Sequence, residues 1–170
     1  MAMNTLTSVL DRPRLLGVLL AAVSAAMLVG AFYFQHVEGL RPCPLCIAQR
    51  WAHAASLALG LIVAVGARGN ATTWLTAALG LAFIAGAGIA GYHVAVEQHW
   101  IENPFCGAND LVGETVEELK ALLWEQEIVR CDEVHWSLLG ISMAGYNLII
   151  SLAMGILTLI AVRRALKVSS

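Results

Sequence analysis

The residue types best suited to chemistry in this chain are its four cysteines, Cys43, Cys46, Cys106 and Cys131. Two of them sit in Arg41-Pro42-Cys43-Pro44-Leu45-Cys46, spaced by two residues and leading straight into a long apolar run. Proline is favoured at the first helical position and pushes its predecessor towards extended geometry. Pro44 therefore predicts Cys43 as the helix cap and Cys46 inside the first turn. The positive end of a helix favours a thiolate at that place, as in other two-residue-spaced cysteine pairs at helix starts. Arg50, four residues beyond Cys46, falls on the same helical face about one turn away, where a fixed cation lowers the thiol pKa further. The plainer duty of such an arginine is to snorkel to the lipid headgroups.

Cys106 and Cys131 lie 25 positions apart. A disulfide between them closes a loop whose cross-linking contributes on the order of 3 kcal/mol, an ordinary structural role. Beside a second, two-residue-spaced pair it gains another role, because a thiolate of one pair can attack the other through a mixed disulfide.

These cysteines must be positioned by membrane helices. Of the 170 residues 59% are apolar and 13% charged, against roughly half and a quarter in soluble domains. About 20 apolar helical residues span the hydrocarbon. Four stretches qualify, at about 15–34, 47–67, 74–96 and 138–162. The first is longer than a signal peptide and ends in Phe32, Tyr33 and Phe34, aromatics suited to the membrane interface, so it is read as retained. The fold class expected is an all-α, four-helix transmembrane bundle, one domain over 1–170. With a net charge of −2 and its ten Lys and Arg scattered, the chain has no basic patch for nucleic acid.

Lys and Arg of short loops stay on the cytoplasmic side. Arg12, Arg14, Arg68, Arg163, Arg164 and Lys167 fall at one side, and Arg41, Arg50, Lys120 and Arg130 at the other. Both termini are then cytoplasmic, and the loops at about 35–46 and 97–136 face outward with every cysteine. In a bacterium that side is oxidising. Within the longer loop, Thr115 and Glu118 match a capping box, and Val116, Leu119, Leu122 and Leu123 follow at helical spacing with Trp124 beside them. This predicts a short amphipathic helix lying on the membrane surface or packing on the bundle top.

Several of these features together resemble a known family. They are Tyr33-Phe34-Gln35-His36-Val37, then Pro42-Cys43-Pro44-Leu45-Cys46-Ile47 with Arg50, Pro104-Phe105-Cys106, and Cys131 followed by Trp136, Leu139 and Gly140. The chain resembles DsbB, the bacterial disulfide-bond formation protein B, over nearly its whole length. The resemblance implies an inner-membrane oxidoreductase that reoxidises a periplasmic thioredoxin-fold partner, DsbA, and passes the electrons to a membrane quinone, ubiquinone or menaquinone. Carried over by position, it implies that Cys106 is attacked by the partner and releases Cys131. Cys131 then bonds Cys43, and Cys46 faces the quinone with Arg50. Family members also carry a quinone-site histidine before the second cysteine loop; both His93 and His99 stand there, and spacing does not choose between them. His36, His53 and His135 are expected to be ordinary interfacial or core residues.

Gly80, Gly86, Gly88 and Gly91 in the third helix suggest close helix contact, and Asn147 and Ser151, one turn apart in the fourth, suggest hydrogen bonds in the packed bundle, with contact to the quinone tail as the alternative. Two rival readings remain. Four thiolates can hold zinc, against which stand the wide spacing of Cys106 and Cys131 and the oxidising side, so no metal is expected. The vitamin K epoxide reductase family shares the four-cysteine, quinone-linked logic, but it usually carries its helix-borne pair late in the bundle. A structural or transport protein would show deep ionisable residues or inverted repeats, and neither is seen.

Overall fold

The computed structural model describes residues 9–66, 69–102, 115–116 and 129–169. Four long helices dominate: α1 (Pro13–His36), α2 (Pro44–Val65), α3 (Asn70–Glu97) and α4 (Met143–Ser169). All four are long and apolar enough to cross a membrane. Cys106 and, apart from Thr115 and Val116, the expected amphipathic helix lie outside the described residues.

The starts follow from local chemistry. Pro13 and Pro44 open α1 and α2, where their missing N–H is not needed. Before α4 the Ser142 hydroxyl accepts from the Gly145 amide at 3.1 Å, as an N-cap does. That start lies five residues later than the apolar pattern suggests. Residues Ser137–Leu138 (β1) and Ile141–Ser142 (β2) pair antiparallel instead, around a two-residue turn. Leu139 and Gly140 have φ of 52° and 78°, the positive pair that a tight hairpin turn demands. Gly140 supplies that geometry freely, and Leu139 is left 89% exposed.

Neighbouring helices pack in chain order, α1 on α2, α2 on α3 and α3 on α4. Lipid tails are as apolar as leucine, so helix association rests on close packing and hydrogen bonds. Where α1 crosses α2, a Cβ on Gly17 would stand 2.8 Å from the Gly60 carbonyl oxygen, and one on Gly60 would stand 3.0 Å from that of Gly17. In α3, Gly80 meets Thr158 and Leu159 of α4 and Gly86 meets Ala52 of α2, whereas Gly88 meets nothing within 4 Å. Leu16, Leu20, Leu79, Phe83 and Ala161 form the apolar core at this end of the bundle.

Candidate functional site

At the other end the cysteines gather. Cys43 caps α2 with extended backbone (φ −73°, ψ 166°), and its sulfur accepts from the Cys46 amide at 3.2 Å. This is the cap geometry that Pro44 implies. The two thiols lie 2.7 Å apart, so a shift of well under 1 Å brings them to the roughly 2.05 Å of a disulfide. The Cys46 hydrogen bond and then burial push the Cys43 thiol above its ordinary pKa. Cys131 is disulfide-bonded and fully buried, in one cluster with Cys43 and Val96. Three cysteines from two separate segments thus share one packed region.

His93, near the end of α3, stands beside the pair with Nε2 3.7 Å from the Cys43 sulfur. His99 does not. Its imidazole is 73% exposed and 4.0 Å from the Asp132 carboxylate. Its backbone explains the position: His99 has φ 57°, its amide bonds to the Val96 carbonyl at 3.0 Å, and the Trp100 amide bonds to the Ala95 carbonyl at 2.9 Å. These are the paired bonds of a Schellman helix end, with His99 in the left-handed position usually held by glycine.

Arg50 stays within the protein. One guanidinium nitrogen donates to the Gln35 side chain and another to the Ala31 carbonyl at 3.1 Å, and the group lies 5.2 Å over the Phe32 ring. The fork therefore ties α2 to the end of α1. Its buried Nε has no partner among the described residues.

Cys43, Cys46, Arg50 and His93 all line one cavity of about 430 Å³, walled mainly by apolar groups such as Met27 and Leu138. The Trp136 ring, 5.1 Å from that of Phe34, lies along its wall. Further polar residues line it: Gln49, His53, Glu97, Tyr146 and Asn147 from the helices, and Arg41, Arg130, Glu133 and His135 from the connecting segments. Sequence reasoning gave His53 and His135 ordinary roles, assigned Asn147 to packing and left Gln49 and Glu97 out of the site, yet all five line the cavity. The available signal was periodic. Cys46, Gln49, Arg50 and His53 fall on one stripe of α2, and His93 and Glu97 are one turn apart in α3.

Arg130, which also lines the cavity, grips Asp132 through two nitrogens and lies 3.4 Å from Glu133. This guanidinium holds the Asp132 carboxyl down at about 2. Among the described residues one group could hold a metal, namely Cys43, Cys46 and His93, whose donor atoms lie within 4.8 Å of one another. Two thiolates on one tetrahedral zinc stand roughly 3.8 Å apart, so at 2.7 Å these sulfurs would first have to separate. Their spacing fits bonding to each other better.

Comparison with known proteins gives the same assignment as the motifs. The family model described as "Disulfide bond formation protein DsbB" matches residues 13–161. Disulfide bond formation protein B of Burkholderia pseudomallei is 36% identical over 152 residues, covering 86% of this chain and 88% of the relative. That of Acidovorax sp. is 35% identical over 164 residues, covering 89% and 88%. That of Herminiimonas arsenicoxydans is 46% identical over 90 residues, covering 52% of this chain and 54% of the relative. With the cysteine pair capping a membrane helix and the match running through all four spans, the chain belongs to the DsbB family of disulfide-forming membrane proteins.

Proposed function

We propose that this protein oxidises a DsbA-like, thioredoxin-fold dithiol on the outer face of a bacterial inner membrane and delivers the electrons to a membrane quinone. The observation that carries the reading is the thiol pair at the mouth of a membrane helix, opening onto an apolar cavity that also holds Arg50 and His93. The donor set fits a flat apolar ring with oxygen substituents. The walls take the ring, and Arg50, which lines the cavity, offers a cation. When bound, a quinone supplies an acceptor for two electrons and two protons.

The protein's own residues then do the following. A thiolate of the partner attacks Cys106 of the Cys106 to Cys131 disulfide, and the Cys131 thiolate leaves. Cys131 attacks Cys43 of the Cys43 to Cys46 disulfide, and Cys46 leaves as thiolate beside Arg50. The partner's second thiol then closes its own disulfide and frees Cys106, which reclaims Cys131 and leaves Cys43 and Cys46 as the reduced pair. Closing the Cys43 to Cys46 bond releases the two electrons. In net, one dithiol becomes a disulfide and one quinone becomes a quinol. Exchange between the pairs needs them close, and the burial of Cys131 in the cluster of Cys43 supports that step.

Arg50 favours negative charge on Cys46 and on the ring oxygen, as fixed cations do in a water-poor site. Of the two candidate histidines, the reading takes His93. Cytoplasmic termini and outward cysteine loops follow from the distribution of Lys and Arg. The experiment is quinone-dependent reoxidation of a reduced thioredoxin-fold oxidase by the purified protein. Turnover with quinone and none without it is expected; oxidation of the partner at the same rate without quinone or another electron acceptor would overturn the reading.

A further inference from the structure

The apolar character of α4 continues outward through the β1–β2 hairpin, and the tip of that hairpin is almost bare of protein. Ser137 to Ser142 contains no charged side chain. At the tip, Leu139 is 89% exposed and has a left-handed backbone, φ 52°. A turn of this kind asks for asparagine or glycine at that place, because in the left-handed conformation Cβ crowds the following carbonyl oxygen. Leucine therefore holds a disfavoured conformation while nearly all of it stays uncovered by the protein.

Two features put this tip at the depth of the lipid headgroups. The first is length. From Met143 to Val162, α4 runs for 20 residues without a charge and then meets Arg163 and Arg164. At about 1.5 Å per residue this stretch crosses the roughly 30 Å of hydrocarbon, so the boundary at the cysteine end falls at the start of α4. Leu139 lies four residues before that start, in a hairpin folded back on the first turn. A Cβ on Gly145 would stand 2.7 Å from Ile141 Cγ2, and the Tyr146 hydroxyl donates to the Leu138 carbonyl at 3.0 Å.

The second feature is a row of aromatic rings. Phe34 near the end of α1, Trp136 just before the hairpin and Tyr146 in the first turn of α4 follow one another with ring centroids 5.1 and 6.3 Å apart. Tryptophan and tyrosine settle at the headgroup level of a membrane. The hairpin follows directly on the first of these two and is hydrogen-bonded to the second.

We propose that the β1–β2 hairpin is a lipid anchor, with Leu139 inserted among the headgroups and upper acyl chains of the leaflet at the cysteine end. The partner is the phospholipid surface itself. A hairpin free of charge with an apolar tip suits that layer, and covering Leu139 with lipid offsets its disfavoured backbone. The anchor also bears on the site. Trp136 and Leu138 line the cavity, and Cys131 lies six residues before Ser137. Holding the hairpin at this depth keeps that wall, and one end of the segment carrying Cys131, level with Cys43.

Leu139 can be read directly in the full-length protein, leucine methyl-labelled for NMR and held in phosphatidylglycerol-containing nanodiscs. Its methyl signals are those absent from Leu139→Asn, a side chain that suits the same turn. Two relaxation agents are compared: a phospholipid with a nitroxide near the top of its acyl chain, and a gadolinium chelate confined to water. The expected result is loss of the Leu139 signals with the lipid nitroxide and their survival with the chelate. The chelate should equally spare Leu81, which is 60% exposed in the middle of α3. Loss of the Leu139 signals with the chelate, whether or not the nitroxide also acts, would place the tip in water and overturn the proposal. Survival with both agents would mean that protein covers the tip, which overturns it as well.

Discussion

The two ends of this bundle are held together by different physics. At the end bearing the termini, buried contacts between helices are mainly apolar, with Leu16, Leu20, Leu79 and Phe83 clustered beside the Gly17 and Gly60 crossing, and the buried hydroxyls of Thr76 and Thr158 bond within their own helices. At the cysteine end, Gln49, His53, His93 and Asn147 are as deeply buried but joined by hydrogen bonds. In lipid neither set is driven together by exclusion of water. The close crossing fixes how far apart the helices stand, and it tolerates no reorganisation. The polar chain fixes how they are rotated about their axes, and it leaves a cavity that reactive groups can share. Separating these tasks lets the cysteine end carry unpartnered atoms and thiols without loosening the bundle.

The strongest way to break that contrast is to remove chemistry without touching packing. Cys46→Ser should abolish quinone-dependent disulfide formation, because it deletes one of the two sulfurs that must bond, while thermal unfolding in detergent stays within a degree or two of the parent. Substantial turnover by this variant would remove the Cys43 and Cys46 pair from the reaction. The converse change is Gly60→Leu. Its Cβ would stand 3.0 Å from the Gly17 carbonyl, a backbone atom that cannot rotate away, so a loss of about 1–3 kcal/mol or more is expected in unfolding assays. Gly88→Ala, with nothing within 4 Å of its Cβ, should be silent. If Gly60→Leu were as stable as Gly88→Ala, the close crossing would not be what holds that end.

Arg50 belongs to both descriptions, which makes it a sharper probe. It binds α1 through Gln35 and Ala31 and also borders the cavity. Arg50→Met removes the charge while keeping much of the apolar stem. Loss of a charge-assisted contact of about 1.5–3 kcal/mol predicts roughly a ten- to hundredfold weaker use of quinone. Arg50→Lys should retain part of the charge effect and lose the fork. Mixed-disulfide formation with the partner oxidase should change little in either variant. Quinone kinetics equal to the parent would reduce Arg50 to a tie between α1 and α2.

How much of this was legible in the sequence differs between the two ends for a physical reason. Spans, the cap at Cys43 and the placing of Cys46 and Arg50 depend on neighbours in the chain, so proline rules and apolar run length reach them. Helices that are apolar nearly all round carry little periodicity to say which face turns inward. Without that rotation nothing in the sequence joins Gln49 to His93 or His53 to Asn147, pairs 44 and 94 positions apart. Leu138, Leu139 and Ile141 extend the apolar pattern of α4 although they form a hairpin, and Gly140 was the local sign of the turn. The same limit left His93 and His99 undecided, because the side each faces depends on where α3 ends.

That end gives the smallest effect expected. His99 occupies the left-handed position of the α3 terminus, where a side chain costs roughly 1 kcal/mol that glycine avoids. His99→Gly should therefore raise stability by up to about 1 kcal/mol in thermal or denaturant unfolding, offset in part by the greater freedom of glycine in the unfolded chain. Disulfide-forming turnover should be unchanged, since the imidazole is exposed and does not line the cavity. His93→Ala, by contrast, removes the ring beside Cys43 and should slow turnover. Asp132 supplies an internal control. Arg130 is the main cause of its lowered pKa, so the ion pair contributes fully above the ordinary carboxylate range and is lost as the pH falls through about 2. His99→Gly should leave that acid limb nearly in place, whereas Arg130→Ala should move it upward, both read by carboxyl carbon NMR. A His99→Gly variant that lost turnover while keeping its fold would return the second histidine to the site.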